Sequence, residues 1–272
     1  MKNNLREEAM SRVMIAAHRG VSGGNIPCNT IDAFDAALYQ GADIIELDVA
    51  CSNDGKLFVF HRNMEPAHLC SNALLRDMTE TEISELRYCN QDNVPTKNGV
   101  NTLDEVLEHL QGRCYINIDK FWEHIEPICD AVRRHNMINQ VLVKTNANEK
   151  IFQQLEQSAP DIPCMVYVRD IDNVSLLLLQ RKFNFVGVEV IFTSDDAAVV
   201  SESYIRQMHE NKLFLWVNSI VFDHRVIIAA GHNDDISVVG HPDEGWGWLL
   251  DRGFNIIQTD WLLALKCYMN SR

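Results

Sequence analysis

The feature that most constrains this chain is an alternation running from end to end, in which short apolar β-rich runs are separated by longer amphipathic segments. Such a pattern belongs to parallel α/β architecture rather than to separate helical and sheet domains. Eight runs read as strands: 13–18 (VMIAAH), 44–49 (IIELDV), 115–119 (YINID), 141–144 (VLVK), 165–168 (MVYV), 186–190 (VGVEV), 213–217 (LFLWV) and 256–258 (IIQ). Eight strand-helix units in 272 residues, with no Pro/Gly/Ser-rich linker, repeat or low-complexity tract, predict one TIM (β/α)8 barrel domain over residues 1–272.

Helices fit between these strands. Asn29 or Thr30 is placed to cap a helix over 31–40, where Ile31, Phe34, Ala37 and Leu38 share a face and Gly41 ends the run. Thr102, with Glu105 three places on, forms the capping box of another. Two stretches break the alternation. Asn53-Asp54-Gly55 is a turn signal that predicts a hairpin back through 56–61, and residues 62 to about 100, with a short helix over 80–86, read as an insertion at the barrel mouth. Residues 231–248 are a second irregular segment. Insertions at a barrel mouth shape its pocket.

A net charge of −14 and a pI near 5.1 disfavour general attraction to nucleic acid or anionic lipid. An anionic substrate then needs a local device, a bound cation or a few focused basic side chains. The apolar stretches fall short of the roughly 20 residues of a membrane span, so no integral membrane segment is expected. Residues 1–12 mix both charges and lack the apolar centre of a secretory signal, which places the protein in the cytoplasm as an expectation. Eight cysteines without zinc-like spacing are expected to be reduced thiols. Nothing in the sequence sets the oligomeric state.

Chemistry-bearing residues collect at strand ends, where a barrel keeps its active site. Glu46 and Asp48 are two apart in a strand, so both carboxylates project from one face while Ile45, Leu47 and Val49 take the other. Two like charges on an inward face call for a cation, and hard oxygen donors favour Mg2+ or Ca2+. Asp119 ends the 115–119 strand, where it either completes the cation site or caps the segment that follows. His18 and His61 close their own runs and suit an acid/base pair near neutral pH, and Arg19 offers bidentate recognition of a phosphate. Lys144 is a further candidate substrate contact or a surface lysine. Trp216, with Trp261, is a candidate to contact substrate or to cover the mouth.

Taken in order, AHRG (17–20), P-x-N-T (27–30), A-x-x-x-GAD-x-x-ELDV (37–49), S-x-DGKLFVFH (52–61), NTLDEVL (101–107), YINIDK (115–120) and GFNIIQTDW (253–261) resemble the glycerophosphodiester phosphodiesterase family over nearly the whole chain. The resemblance implies a TIM barrel, a divalent cation, and hydrolysis of a small-molecule glycerophosphodiester to glycerol 3-phosphate and an alcohol. It implies catalytic roles for His18 and His61, cation ligands in Glu46, Asp48 and, after the third strand, Asp119, and a phosphate contact in Arg19. Three departures stand out: Cys28 replaces the acid of the family's P-E-N-T, Arg62 replaces the Asp of its His-Asp, and Lys120 follows Asp119 without the usual spacer. Two alternatives keep the fold but change the function: a phospholipase-like lyase on lysophospholipid or inositol phosphodiesters, and a barrel that binds phosphodiesters without cleaving them.

Overall fold

The computed structural model describes residues 4–272. Nine strands run β1 (Met14–His18), β2 (Ile44–Cys51), β3 (Leu57–Val59), β4 (Tyr115–Asp119), β5 (Val141–Thr145), β6 (Cys164–Arg169), β7 (Phe185–Ile191), β8 (Phe214–Asn218) and β9 (Ile256–Thr259). All except β3 pair in parallel with their neighbours, and β1 bonds to both β2 and β9, so eight strands close into the expected TIM barrel. Strand β3 folds back antiparallel on the outer part of β2, with Val49 opposite Val59 and Cys51 opposite Leu57. The turn between them places Gly55 at φ 89°, a left-handed conformation that glycine adopts without steric cost.

The strand period of two sorts the side chains. Ile45, Leu47, Ile116, Ile118, Val143, Val188, Val190, Leu215 and Val217 face outward into the main core beneath the surrounding helices. Inward, Met14, Ile44, Tyr115, Leu142, Met165, Val186, Phe214, Trp216 and Ile256 fill the lower barrel, and Leu5 and Ala9 of the helix Leu5–Ser11 close it from below. Polar inward residues, buried Glu46, Asn117, Lys144, Glu189 and Gln258, begin only above that apolar floor. The barrel is therefore a packed plug carrying a charged layer at one end.

Local signals behave as their chemistry requires. Thr30 caps the helix Ile31–Gln40 by accepting from Ala33, Gly41 ends it in the left-handed region, and Thr102 and Glu105 form a full capping box. Residues 62–100 hold two short α-helices and a 3-10 turn, Leu75–Asp77, over a small core built with the hairpin from Phe58, Phe60, Leu69, Leu75, Ile83, Tyr88 and Val100. Between β8 and β9 the chain makes a helix, Asp234–Val238, and a π-helical turn, Asp243–Gly247. Among the described residues no helix is long and apolar enough to cross a membrane.

Candidate active site

Strand β2 delivers Glu46 and Asp48 to the interior two residues apart, and β4 runs beside it with Asp119 paired in register to Asp48. One carboxylate oxygen from each of the three lies within 4.8 Å of the others. Glu46 and Asp48 are 2% and 1% exposed, too little for water to screen them. Burial, and then the charge of Asp48, push the Glu46 carboxyl up to about 7. An all-oxygen donor set under that repulsion fits a hard divalent cation, and the residues that would hold it are those expected from the sequence.

The cluster is tied to its surroundings asymmetrically. Arg19 has φ 56°, an uncommon conformation for a side-chain-bearing residue, and it gains two contacts there. Its backbone N–H donates to Glu46 Oε2 at 3.1 Å, and its Nε lies 2.9 Å from Asp48 Oδ2. The next residue, Gly20, could not carry a Cβ, which would sit 2.8 Å from the Ala33 carbonyl. Asn29 also serves Asp48, donating from Nδ2 to Oδ2 at 3.1 Å and accepting the Asp48 backbone N–H on Oδ1. Asp119 is held by Lys120 Nζ at 3.2 Å and by Lys144 Nζ at 3.5 Å. Despite burial, these two cations keep its carboxyl below the usual range. The capping reading of Asp119 does not hold: the 3-10 turn Phe121–Glu123 starts from Lys120 with no side-chain cap, and Asp119 Oδ1 instead accepts the adjacent Lys120 N–H at 2.8 Å.

Each histidine is anchored through Nδ1. His18 Nδ1 lies 2.8 Å from Asp260 Oδ1, and His61 Nδ1 lies 3.0 Å from the Arg62 carbonyl with its Nε2 3.9 Å from Asp48 Oδ1. Burial works against charge on both rings. For His18 the Asp260 hydrogen bond and the nearby Glu46 and Asp260 charges outweigh burial and raise its pKa, whereas His61 remains below its ordinary value. A carboxylate partner suits an imidazolium, and a carbonyl partner suits a neutral ring.

Two expected substrate contacts lie elsewhere than the sequence suggested. Lys144 is buried and bound to Glu189 Oε2 at 2.8 Å as well as to Asp119, so it supports the acidic layer from beneath. Trp216 is fully buried among the lower-barrel side chains and donates from Nε1 to Asn218 Oδ1 at 2.9 Å, while Asn218 donates to Glu189. With 0% exposure its indole has no face for a ligand. Trp216→Ala is accordingly expected to destabilise the protein by about 3–5 kcal/mol, as loss of a buried aromatic does, read from urea unfolding. Of the two positions where this chain lacks a family acid, one holds Arg62, whose Nη1 lies 2.7 Å from Glu123 Oε2. The other position holds Cys28, a half-buried residue whose thiol desolvation pushes up to about 11, so that it stays neutral.

Asp260, Asn29 and Glu189 escaped the sequence reading. Asp260 carried a signal that was there to be used, since it follows the last barrel strand as Asp119 closes an earlier one. Fold and site together define a barrel whose mouth sets two anchored imidazoles beside an acidic layer that could hold a metal ion.

Comparison with known proteins gives that class a family. The family model described as "Glycerophosphoryl diester phosphodiesterase family" matches residues 18–218, and the chain belongs to that family. It is 45% identical over 69 residues, 25% of this chain and 28% of the relative, to a glycerophosphodiester phosphodiesterase of Bacillus altitudinis. It is 24% identical to human lysophospholipase D GDPD1 over 94% of this chain and 85% of that protein. A crystal structure of a glycerophosphoryl diester phosphodiesterase from Parabacteroides distasonis superimposes with a TM-score of 0.77 at 16% identity, covering 99% and 92% of the two chains, and shares the fold.

Proposed function

We propose that this protein hydrolyses glycerophosphodiesters to glycerol 3-phosphate and an alcohol, with a divalent cation, Mg2+ or Ca2+, held by Glu46, Asp48 and Asp119. The observation that carries the reading is the convergence of three carboxylate oxygens within 4.8 Å, bordered by Arg19 and by two histidines whose Nδ1 atoms are occupied. When bound, the cation supplies charge neutralisation to the phosphate oxygens. Arg19 orients the phosphate from the Asp48 side. His61, directed at the cluster, takes the proton of the attacking oxygen, either water or the neighbouring glycerol hydroxyl, which would give a cyclic phosphate that water then opens, and His18, biased towards its charged form by Asp260, protonates the departing oxygen.

A second reading rests on a groove of about 860 Å³ that opens from His18 and Arg19 and runs past Val221, Phe222, Trp261 and Leu263. Phe222 and Trp261 are 66% and 51% exposed, an apolar wall suited to an acyl-bearing substrate such as a lysophospholipid. The same assay weighs both. Glycerophosphocholine, glycerophosphoethanolamine and lysophosphatidylcholine are incubated with Mg2+, Ca2+ or chelator and followed by ³¹P NMR, which also detects a cyclic phosphate. The expected result is cation-dependent release of glycerol 3-phosphate from the two glycerophosphodiesters, whereas preferred cleavage of lysophosphatidylcholine, to lysophosphatidic acid or its cyclic phosphate and choline, would favour the second reading. No turnover of any of the three with either cation would leave a phosphodiester-binding barrel.

A further inference from the structure

Asp260 presents an unanswered mechanical question. Its side chain is 45% exposed, yet it must hold its carboxylate 2.8 Å from His18 Nδ1. Its backbone supplies the answer, because the Asp260 N–H donates at 2.8 Å to Oδ2 of Asp234, a carboxylate that is 2% exposed. The other oxygen, Oδ1, accepts from Ser219 Oγ at 2.6 Å, Trp246 Nε1 at 2.7 Å and Thr259 Oγ1 at 2.8 Å. Asp234 has no ion-pair partner among the described residues. A buried carboxylate without a cation costs stability, and the Trp246, Thr259 and Asp260 donors, with a Ser219 hydroxyl shared with the Gln258 carbonyl, offset that cost.

The donor types make the arrangement specific. The Trp246 indole N–H and the Asp260 peptide N–H can only donate, and each faces a different oxygen of Asp234. A carboxylate accepts on both sides. Asparagine, in either orientation, sets its NH2 against one of these N–H groups. The donors come from three segments, the end of β8 (Ser219), the π-helical turn (Trp246) and the end of β9 (Thr259 and Asp260), so Asp234 fastens the rim directly below the partner of His18.

We infer that Asp234 is a positioning residue for the reaction, acting on His18 only through the backbone of Asp260; the inference rests on the function proposed above. Asp234→Asn and Asp260→Asn are each expected to lower kcat by about 10- to 100-fold, as loss of a group that orients a reacting ligand does, with KM within about twofold. The double variant is expected to be no slower than Asp260→Asn alone, because effects that share one route do not add. Trp246→Phe, a milder change that keeps an aromatic ring but removes the Nε1–H, gives a smaller kcat loss and guards against a variant that fails to fold. The hydrogen-bonded Nδ1 proton of His18, assigned in the NMR spectrum by its loss in His18→Gln, is expected to shift or vanish in Asp234→Asn and Trp246→Phe. Additive kcat losses in the double variant, or folded variants with an unchanged His18 proton, would overturn the inference. If the wild-type protein turned over no glycerophosphodiester, the function proposed above would fail, and the His18 resonance would still decide the positioning role.

Discussion

Replacing His18 or His61 by asparagine is expected to lower kcat on a natural glycerophosphodiester by about 10² to 10⁴-fold, the usual worth of a placed proton-transfer group. Both rings sit at the rim with only one ring nitrogen anchored, so the fold should survive either change. The two variants should part on a nitrophenyl phosphodiester, whose leaving oxygen needs little protonation. His18→Asn, lacking the acid, is expected to recover most of its activity on that substrate, whereas His61→Asn, lacking the base, stays slow. The reverse asymmetry would exchange the roles. Near-native kcat for both folded variants on the natural substrate would remove proton transfer by either histidine.

The second large effect is expected at Glu46, where Gln keeps the shape and removes one charge of three. Cation affinity and kcat/KM should each fall by about 10² or more, a loss comparable to removing a main electrostatic stabiliser of a transition state. Thermal unfolding separates this from damage to the fold. Wild-type protein should gain stability with added Mg2+ or Ca2+, by about 2.7 kcal/mol at a hundredfold excess over Kd, and Glu46→Gln should gain almost none. Without cation the order changes. Because the folded Glu46 carboxyl is raised to about 7, its contribution is fully present below the ordinary carboxylate range and is lost as pH rises through about 7. Chelated wild-type protein is thus expected to lose stability over that window, and chelated Glu46→Gln to lose less. An unchanged cation titration in the variant would remove Glu46 from the ligand set.

The barrel was legible because each strand carries its own apolar and β-branched signal, and Asn53-Asp54-Gly55 announced the hairpin as plainly. The three-carboxylate cluster was legible for a related reason. A period of two fixes the relative direction of Glu46 and Asp48 without any knowledge of tertiary contacts, and the register of β4 then brings Asp119 alongside. Trp216 was not, because the height of a side chain inside a barrel depends on strand stagger. The β8 strand runs on to Asn218, which leaves Trp216 one layer below the mouth. Asn29 was weighed only as a helix cap, a task Thr30 performs, while Asn29 turns to Asp48. The His18–Asp260 pair spans 242 positions, and no local pattern announces a contact made only when the ring of strands closes.

That closure has a consequence for how the protein comes into being. During synthesis, at roughly 5–20 residues per second, β1 emerges early and has β2 as a neighbour soon after, but its other edge stays bare until β9 has left the ribosome. Until then the apolar lower layer lacks Ile256, the seam between β1 and β8 is open, and His18 has no carboxylate to orient it. Chaperone protection of the nascent chain would matter most in that interval, with the β1 and β8 edges unpaired. Catalytic competence would then arrive together with the final seam, leaving no half-built barrel able to act on its substrate.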